Sequence, residues 1–276
     1  MDQIYLEVPV FSSSSADSII HADHGIARLE LNAEGSYSQG GTTPDANTYR
    51  HVVVNKRTPL RVMIRPRGPP DDGTPDFVYS RAEFDGMIEA IRKWQSSGIL
   101  DMKRGDGFVF GALTSRAEDA GDDDKRGMRV DVERNSQLVD MAAPYPCVFH
   151  RAFDDVLGSG GSTVEEALSD LAVCGFKGLL TSGGPGRAID NIDIVSRIVR
   201  AAPQSLREVI IGGGVRSSHV RKLAEVLLPQ SRETLPTTTD IWFHSSCLMN
   251  ASASEEVDKQ ELSSIAEQVK AVYESV

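Results

Sequence analysis

The chain has 276 residues, of which 40% are hydrophobic and 25% are charged, and its formal net charge at pH 7 is −11. These values are typical of a globular protein, and the length suits one large domain. The acidic balance argues against nucleic acids and anionic membranes as partners, so an anionic ligand would need a local cationic pocket.

The beginning of the chain and its cysteines bear on location. An acidic residue, Glu7, appears before any long apolar stretch, and no window has the roughly 18 apolar residues of a membrane helix. We therefore expect a soluble, cytoplasmic protein without a membrane partner. The cysteines Cys147, Cys174 and Cys247 are odd in number and far apart, which indicates neither a disulfide framework nor a zinc site.

Short apolar runs alternate with segments of helical periodicity along the whole chain. The eight strand-like runs are Ile4 to Val8, Ala27 to Leu31, Leu60 to Arg65, Gly107 to Leu113, Tyr145 to His150, Lys177 to Thr181, Arg207 to Gly212 and Asp240 to His244. The segments Ser80 to Glu83 and Ser162 to Glu165 match the capping box and predict two helix starts. Eight such units over this length predict an α/β protein with a single (β/α)8 TIM barrel over residues 1–276.

Three stretches carry turn residues and charge without periodicity. They lie near residues 69–75, 116–128 and 229–239. We interpret them as loops or insertions. The first follows two arginines directly and is therefore a candidate lid.

Two arginines follow the third strand, where the active site of a barrel is expected. Arg65 and Arg67 are separated by Pro66, which stiffens the backbone that carries them. Two fixed cations predict a site for an anion or substrate, with Arg65 in catalysis and Arg67 in ligand binding. The alternative is that both arginines pair with carboxylates at the rim of the barrel.

Candidate proton-transfer groups belong to other strands. Glu7 and Glu30 lie on the first and second strands, and His150 and Asp154 lie at the end of the fifth. Because a free imidazole has a pKa of about 6.5, we predict His150 as a general acid or base, with the three carboxylates as catalytic partners. The alternatives are a structural histidine and carboxylates that only neutralise the arginines.

Two glycine-rich turns follow the sixth and seventh strands. Glycine lets the backbone approach a ligand closely, and a helix that begins just beyond offers free N–H groups to an anion. This is the usual position of a barrel phosphate site. The predicted ligand-binding residues are Arg67, Ser182, Gly183, Gly184, Gly212, Gly213, Gly214, His244 and Ser245. The alternative is that the glycines only form tight turns.

Several longer motifs make the chain resemble a known family. They are Arg61 to Gly68, Phe108 to Thr114, Phe149 to Asp154, Thr181 to Gly184 and Gly212 to Gly214, with Gly40 to Pro44 and Phe243 to Ser246 extending the match towards both ends. With these motifs in this order, the chain is similar to the CutC family, the copper homeostasis proteins. The resemblance implies a single barrel, a cytoplasmic location, self-association into a homo-oligomer and a role in handling copper as Cu(I).

The resemblance also raises the question of copper ligands. Family members often carry a cysteine two residues after each of the first two strand glutamates, where this chain has Pro9 and Asn32. Neither residue is the soft donor that Cu(I) prefers. A candidate Cu(I) site is left at the eighth strand, from His244, Cys247 and Met249.

Two function hypotheses stay open at this point. The first is a copper homeostasis protein that binds copper. The second is a barrel enzyme of the isomerase or lyase type, which acts on a small phosphorylated or anionic substrate by acid–base chemistry. The partner is accordingly a copper ion or a small anionic ligand.

Overall fold

The computed structural model describes residues 4–21, 26–53, 56–115, 127–228, 239–248 and 254–275. Two of the predicted insertions, near 116–128 and 229–239, lie almost entirely outside these ranges. The third, residues 69–75, forms turns and bends without a helix or strand.

Eight parallel strands close into a barrel, which confirms the predicted (β/α)8 fold. The strands are β1 (Ile4–Val10), β2 (Arg28–Leu31), β3 (Leu60–Met63), β4 (Gly107–Phe110), β7 (Cys147–Phe149), β8 (Gly178–Thr181), β9 (Glu208–Ile211) and β10 (Asp240–His244). They are hydrogen-bonded in chain order, and β10 closes the ring on β1 with Leu6 opposite Phe243. The carboxyl ends of all eight strands therefore surround one mouth.

Helices follow the strands and cover the outside of the barrel. They are α1 (Ser13–His21), α2 (Ala46–Val53), α3 (Arg81–Ser96), α4 (Val132–Ala142), α5 (Ala152–Gly158), α6 (Val164–Cys174), α7 (Ile192–Ala201), α8 (Ser217–Leu227) and α9 (Lys259–Ser275). None of the helices in the described ranges is both long and apolar enough to cross a membrane.

The barrel strands are buried on both faces. Outward-facing side chains join the helices in one large apolar core, while a smaller cluster forms the middle of the barrel from Met63, Val109, Val148, Leu180 and Ile210. This double burial explains why the strands are short, nearly continuous apolar runs in the sequence.

One predicted strand is divided between two strands in the structure. The run Gly107 to Leu113 was predicted as one strand, but β4 ends at Phe110, and Leu113–Ser115 (β5) pairs antiparallel with Met128–Val130 (β6) outside the barrel. The side chain of Asn135 binds both backbone groups of Ala112, at 3.0 and 2.8 Å, and so holds the chain between the two strands.

The two predicted helix starts fared differently. The capping box of Ser80 and Glu83 is confirmed at the start of α3. The second box lies one residue later than predicted, because Thr163 rather than Ser162 caps α6, with Glu166 as its reciprocal partner.

Candidate functional site

A cavity of about 410 Å³ lies at the carboxyl ends of the strands. Seven of the predicted site residues line it: Glu30, Arg65, His150, Gly213, Gly214, His244 and Ser245. The carboxylate of Glu7 lies next to this group, since it is hydrogen-bonded to His244. The structure therefore brings acidic, basic and imidazole groups from different strands to a single mouth.

The buried Glu7 and the part-buried His244 form a pair beside the cavity. The Nδ1 atom of His244 is 2.7 Å from one carboxylate oxygen of Glu7, and the other oxygen accepts a hydrogen bond from Nε of Arg28. Burial alone would raise the pKa of Glu7, but Arg28 and His244 lower it to about 2. Burial would likewise lower the pKa of His244, but Glu30 and Glu7 raise it above its ordinary value. Glu7 is therefore ionised, and its carboxylate fixes the orientation of the His244 imidazole.

Glu30 has one bound and one unbound carboxyl oxygen. Its Oε1 accepts a hydrogen bond of 3.0 Å from the side chain of Asn32, whereas its buried Oε2 has no partner among the described residues. Burial raises the pKa of the Glu30 carboxyl, with a further contribution from the charge of Glu7. An acidic group with a raised pKa and an unpartnered oxygen beside a cavity is suited to holding a proton or a ligand.

Glu7, Glu30 and His244 together form a candidate metal-binding group. Each of them offers a ligand atom, and these atoms lie within 4.8 Å of one another. Glu7 is already bound to Arg28 and to Nδ1 of His244, so the two ligands would be Glu30 and Nε2 of His244. A carboxylate that orients a ligating histidine through its other nitrogen is a common arrangement at metal sites.

His150 was predicted as a general acid or base, but its environment favours a different chemistry. Its Nδ1 accepts the backbone N–H of Ala152 at 3.2 Å, which places the proton of the neutral ring on Nε2. Burial, with the charges of Arg65 and Arg151, lowers the pKa of His150 to about 3. The ring is therefore neutral near pH 7 and is suited to donate a hydrogen bond rather than to take up a proton.

The lowered pKa of His150 predicts a specific acid sensitivity. A histidine that ionises at about 6.5 when unfolded and at about 3 when folded stabilises the fold above pH 6.5, and this contribution is lost as the pH falls towards 3. Between pH 7 and pH 4.5, we expect wild type to lose about 2–3 kcal/mol more unfolding free energy than His150→Gln. Urea denaturation at a series of pH values measures the difference.

The matched control for this measurement is His51→Gln, because His51 is exposed on α2. That variant should follow the wild-type pH dependence. Equal pH dependence of wild type and His150→Gln would contradict the prediction.

The two arginines after β3 have different roles. Arg65 lines the cavity but is also paired with Asp76 at 2.8 Å and donates to the carbonyl oxygen of Gly41 at 2.9 Å. Arg67 does not line the cavity, because its guanidinium is bound to Glu83 at 2.5 Å near the start of α3. For Arg67, the alternative of a rim ion pair describes the structure better than ligand binding.

The predicted anion site after β8 is filled by the protein itself. The carboxylate of Asp154 accepts hydrogen bonds from the backbone N–H and hydroxyl groups of Ser182, at 3.0 and 2.6 Å, and from the N–H of Gly184 at 3.2 Å. Ser182, Gly183, Gly184 and Asp154 do not line the cavity, and neither does Gly212. Asp154 therefore holds this turn in place, and its predicted catalytic role has no geometric support.

Two cavity arginines were not selected from the sequence. Arg151 lies 3.0 Å from Asp154 and is about half exposed, and Arg216 lies two residues after the second glycine turn. Both positions were visible in the sequence, because Arg151 adjoins His150 and Arg216 follows Gly214 closely. What was lacking was a signal that these side chains turn inwards.

The candidate Cu(I) site at the eighth strand is not assembled in the described residues. Cys247 is buried outside the cavity, with its sulfur 3.5 Å from the carbonyl oxygen of Ser245, and burial raises the pKa of its thiol to about 12. Met249 lies outside the described residues. The sulfur of Cys247 therefore faces a backbone carbonyl and not the cavity that His244 lines.

Comparisons with known proteins agree with this fold. The profile of the CutC family matches residues 4–227. The copper homeostasis protein cutC homolog of Homo sapiens is 34% identical over 212 residues, which cover 76% of this chain and 66% of that protein. The copper homeostasis protein CutC of Streptococcus agalactiae superposes with a TM-score of 0.62 at 25% identity, over 88% of this chain and 98% of that one. The aldolase QR15, at 12% identity and a TM-score of 0.53 over 100% and 97% of the two chains, is similar in fold alone.

Proposed function

This chain belongs to the CutC family, and from that premise we propose that it takes part in copper homeostasis by binding a copper ion at the mouth of its barrel. The observation that supports the proposal best is the group of Glu7, Glu30 and His244, whose potential ligand atoms lie within 4.8 Å of one another. The carboxyl oxygen of Glu30 without a partner and the second nitrogen of His244 would be the ligands.

The donor types bear on the oxidation state of the ion. Oxygen and imidazole donors suit Cu(II), whereas Cu(I) prefers thiolate and thioether sulfur. The thiols of Cys147, Cys174 and Cys247 are all buried and none lines the cavity. Within the described part of the chain, the site therefore favours Cu(II) over the Cu(I) that the family resemblance implied.

The charges around the site make the affinity for copper depend on pH. His244 must be neutral to ligate, yet the neighbouring carboxylates raise its pKa, so binding of the ion releases a proton from the ring. Arg28 keeps Glu7 ionised, and Glu7 in turn holds Nδ1 of His244 so that Nε2 is presented to the ion. Copper affinity should therefore be higher at pH 8 than at pH 6.

Copper titration tests the proposal. We expect wild type to bind one Cu(II) ion saturably and to unfold at a higher temperature with it, because a ligand at 100 times its dissociation constant adds about 2.7 kcal/mol. His244→Asn and Glu30→Gln should each weaken binding by about tenfold or more, because even residues that only orient a metal ligand typically contribute about 10- to 100-fold to metal affinity. Calorimetric titration with Cu(II), and with Cu(I) under reducing conditions, measures both ions.

An exposed histidine provides the control. His51→Asn removes a surface imidazole on α2 and should bind copper as wild type does. The absence of saturable copper uptake by wild type would refute the proposal, as would wild-type binding by both site variants.

A second candidate function is an enzyme of the isomerase or lyase type that acts on a small anionic substrate. The specific observation in its favour is that Arg65, Arg151 and Arg216 line the same cavity as Glu30, whose pKa is raised. Cations can position an anion, and a carboxyl of raised pKa can transfer protons near neutral pH. The fold likeness to an aldolase carries no weight here, because one barrel hosts many chemistries.

A ligand screen tests the second candidate. Phosphorylated sugars and small carboxylates are screened for a rise in the unfolding temperature, and each stabilising compound is titrated into Arg216→Gln. Loss of one charged hydrogen bond should weaken binding about 10- to 100-fold, whereas Arg221→Gln, an exposed change on α8, should have no effect. If no compound stabilises wild type, this candidate is abandoned.

A further inference from the structure

We propose that His150 is a fixed hydrogen-bond donor for one carbonyl or carboxylate oxygen of a small compound bound in the cavity. The inference deepens the second candidate function, on which it rests for the presence of a small ligand, and it is independent of copper. It also gives His150 a role other than the proton transfer expected from the sequence.

The first step is the direction of the two ring nitrogens. The backbone N–H of Ala152 donates to Nδ1 at 3.2 Å, so Nδ1 acts as an acceptor. A neutral imidazole has one acceptor and one donor nitrogen. The proton is therefore on Nε2, which can only donate.

The second step is that this donor has no partner. Nε2 of His150 is buried without a hydrogen-bond acceptor among the residues that the structure describes, and the side chain is 3% exposed. Buried polar groups in proteins are nearly always satisfied, and the exceptions concentrate where a function uses them. Because the ring lines the cavity, the missing acceptor is most simply an oxygen atom of a ligand.

The third step is that the ring cannot easily turn away. It packs between Phe77 and Phe149, with ring centroids 4.7 and 5.9 Å away. The neighbouring Gly111 approaches so closely that a Cβ atom there would lie 2.9 Å from the ring. The donor is thus held in one orientation before any ligand arrives, which is the arrangement that stabilises charge on an oxygen most effectively.

The fourth step concerns the class of ligand. Arg65 lines the same cavity and places a cation there, held by Gly41 and Asp76. The same wall includes the apolar Met63, Phe77 and Leu180. A fixed N–H donor and a cation beside an apolar wall suit a small compound with a carbonyl or carboxylate oxygen on a short carbon chain. A neutral histidine next to a cation can bind such an oxygen without giving up its proton.

The first experiment is nitrogen-15 NMR of the histidines in wild type. We expect His150 to be neutral with its proton on Nε2 from pH 5 to pH 8, and the Nε2 resonance to shift on titration with pyruvate. A proton on Nδ1, or no shift of Nε2 at saturating pyruvate, would overturn the proposal without reference to any variant.

The second experiment compares two replacements. His150→Phe keeps a ring between Phe77 and Phe149 but removes the donor, whereas His150→Gln keeps an N–H at nearly the same place. We expect the dissociation constant for pyruvate to rise about tenfold or more in His150→Phe and about threefold or less in His150→Gln. Thermal unfolding of both variants verifies that they are folded.

The outcomes distinguish failure of the donor role of His150 from failure of the second candidate function. Wild-type affinity in His150→Phe would overturn the donor role while small-anion binding stands. Binding of inorganic phosphate with no binding of pyruvate would overturn the ligand class. Absence of saturable binding of both probes to wild type would overturn this inference together with the second candidate function.

Discussion

Replacement of Arg28 by methionine is expected to lower the free energy of unfolding by about 3–5 kcal/mol, because it leaves the buried carboxylate of Glu7 without its arginine partner and Glu208 with Arg61 alone. Arg28 is 2% exposed, binds Glu7 through Nε and lies 2.7 Å from Glu208. Its guanidinium also stacks on Trp242, 3.8 Å from the ring centroid. Methionine retains much of the side-chain volume, so the lower free energy of unfolding would result mainly from the missing charge. Urea denaturation at pH 7 measures it.

The control is an ion pair of similar geometry on the surface. Arg197 and Glu165 are 2.7 Å apart, but their side chains are 59% and 51% exposed. Water already solvates both charges, so Arg197→Met should lower the free energy of unfolding far less than Arg28→Met does. Similar losses in the two variants would show that Arg28 does not stabilise the fold through buried charge.

Replacement of Asp154 by alanine should have a comparable effect for a different reason. Its carboxylate accepts from the hydroxyl of Thr181 at 2.5 Å and from the backbone N–H groups of Ser182 and Gly184. Without it these buried donors have no acceptor, and each such group costs about 1–3 kcal/mol. We therefore expect the unfolding free energy to fall by about 3–5 kcal/mol, measured by the same denaturation.

Two further variants make the result interpretable. Asp154→Asn keeps one acceptor oxygen and should lose less than the alanine variant. Asp190→Ala removes an exposed carboxylate paired with Arg187 at 2.8 Å and should change stability far less than Asp154→Ala does. If Asp154→Ala were as stable as Asp190→Ala, the turn after β8 would not depend on this internal anion.

Arg28 and Asp154 show two structural uses of buried charge in this barrel. Arg28 lies in the interior and fixes the ionised state of Glu7, which orients His244 at the mouth. Asp154 fixes a glycine turn whose free N–H groups would otherwise attract an anion from solution. Two of the cavity residues, Glu30 and His150, each have a buried polar atom without a partner among the described residues.

Much of the fold was predictable because its signals are local. The run before Arg65 is apolar at every position except Arg61, as a doubly covered strand largely requires, and Ser80 with Glu83 forms its capping box within a single turn of chain. The alternation of such runs with segments of helical periodicity predicts a barrel. In a barrel the strand ends meet at one mouth, so Glu30, His150 and His244 are expected there. Errors appeared at boundaries, as at Leu113, where a side chain from α4 holds the backbone away from the barrel.

The site was predicted less well, because its chemistry depends on neighbours that are distant in the chain. In the sequence, Asp154 could equally face a ligand or a glycine turn. Only the tertiary structure shows that its carboxylate accepts a hydrogen bond from Ser182. Arg67 looks like a ligand-binding cation until Glu83 is seen beside it. His150 resembles a proton shuttle until the N–H of Ala152 assigns its acceptor nitrogen.

The sequence by itself therefore determined the barrel, the positions of its strands and the set of polar groups at their ends, since apolar period and strand direction are properties of short segments. Only the tertiary structure decided which of those groups face the cavity and which neutralise one another. Glu7 and His244 are 237 residues apart and become partners only when the last strand closes on the first. In the low dielectric of the interior, that pairing sets each pKa and hence what each group can do.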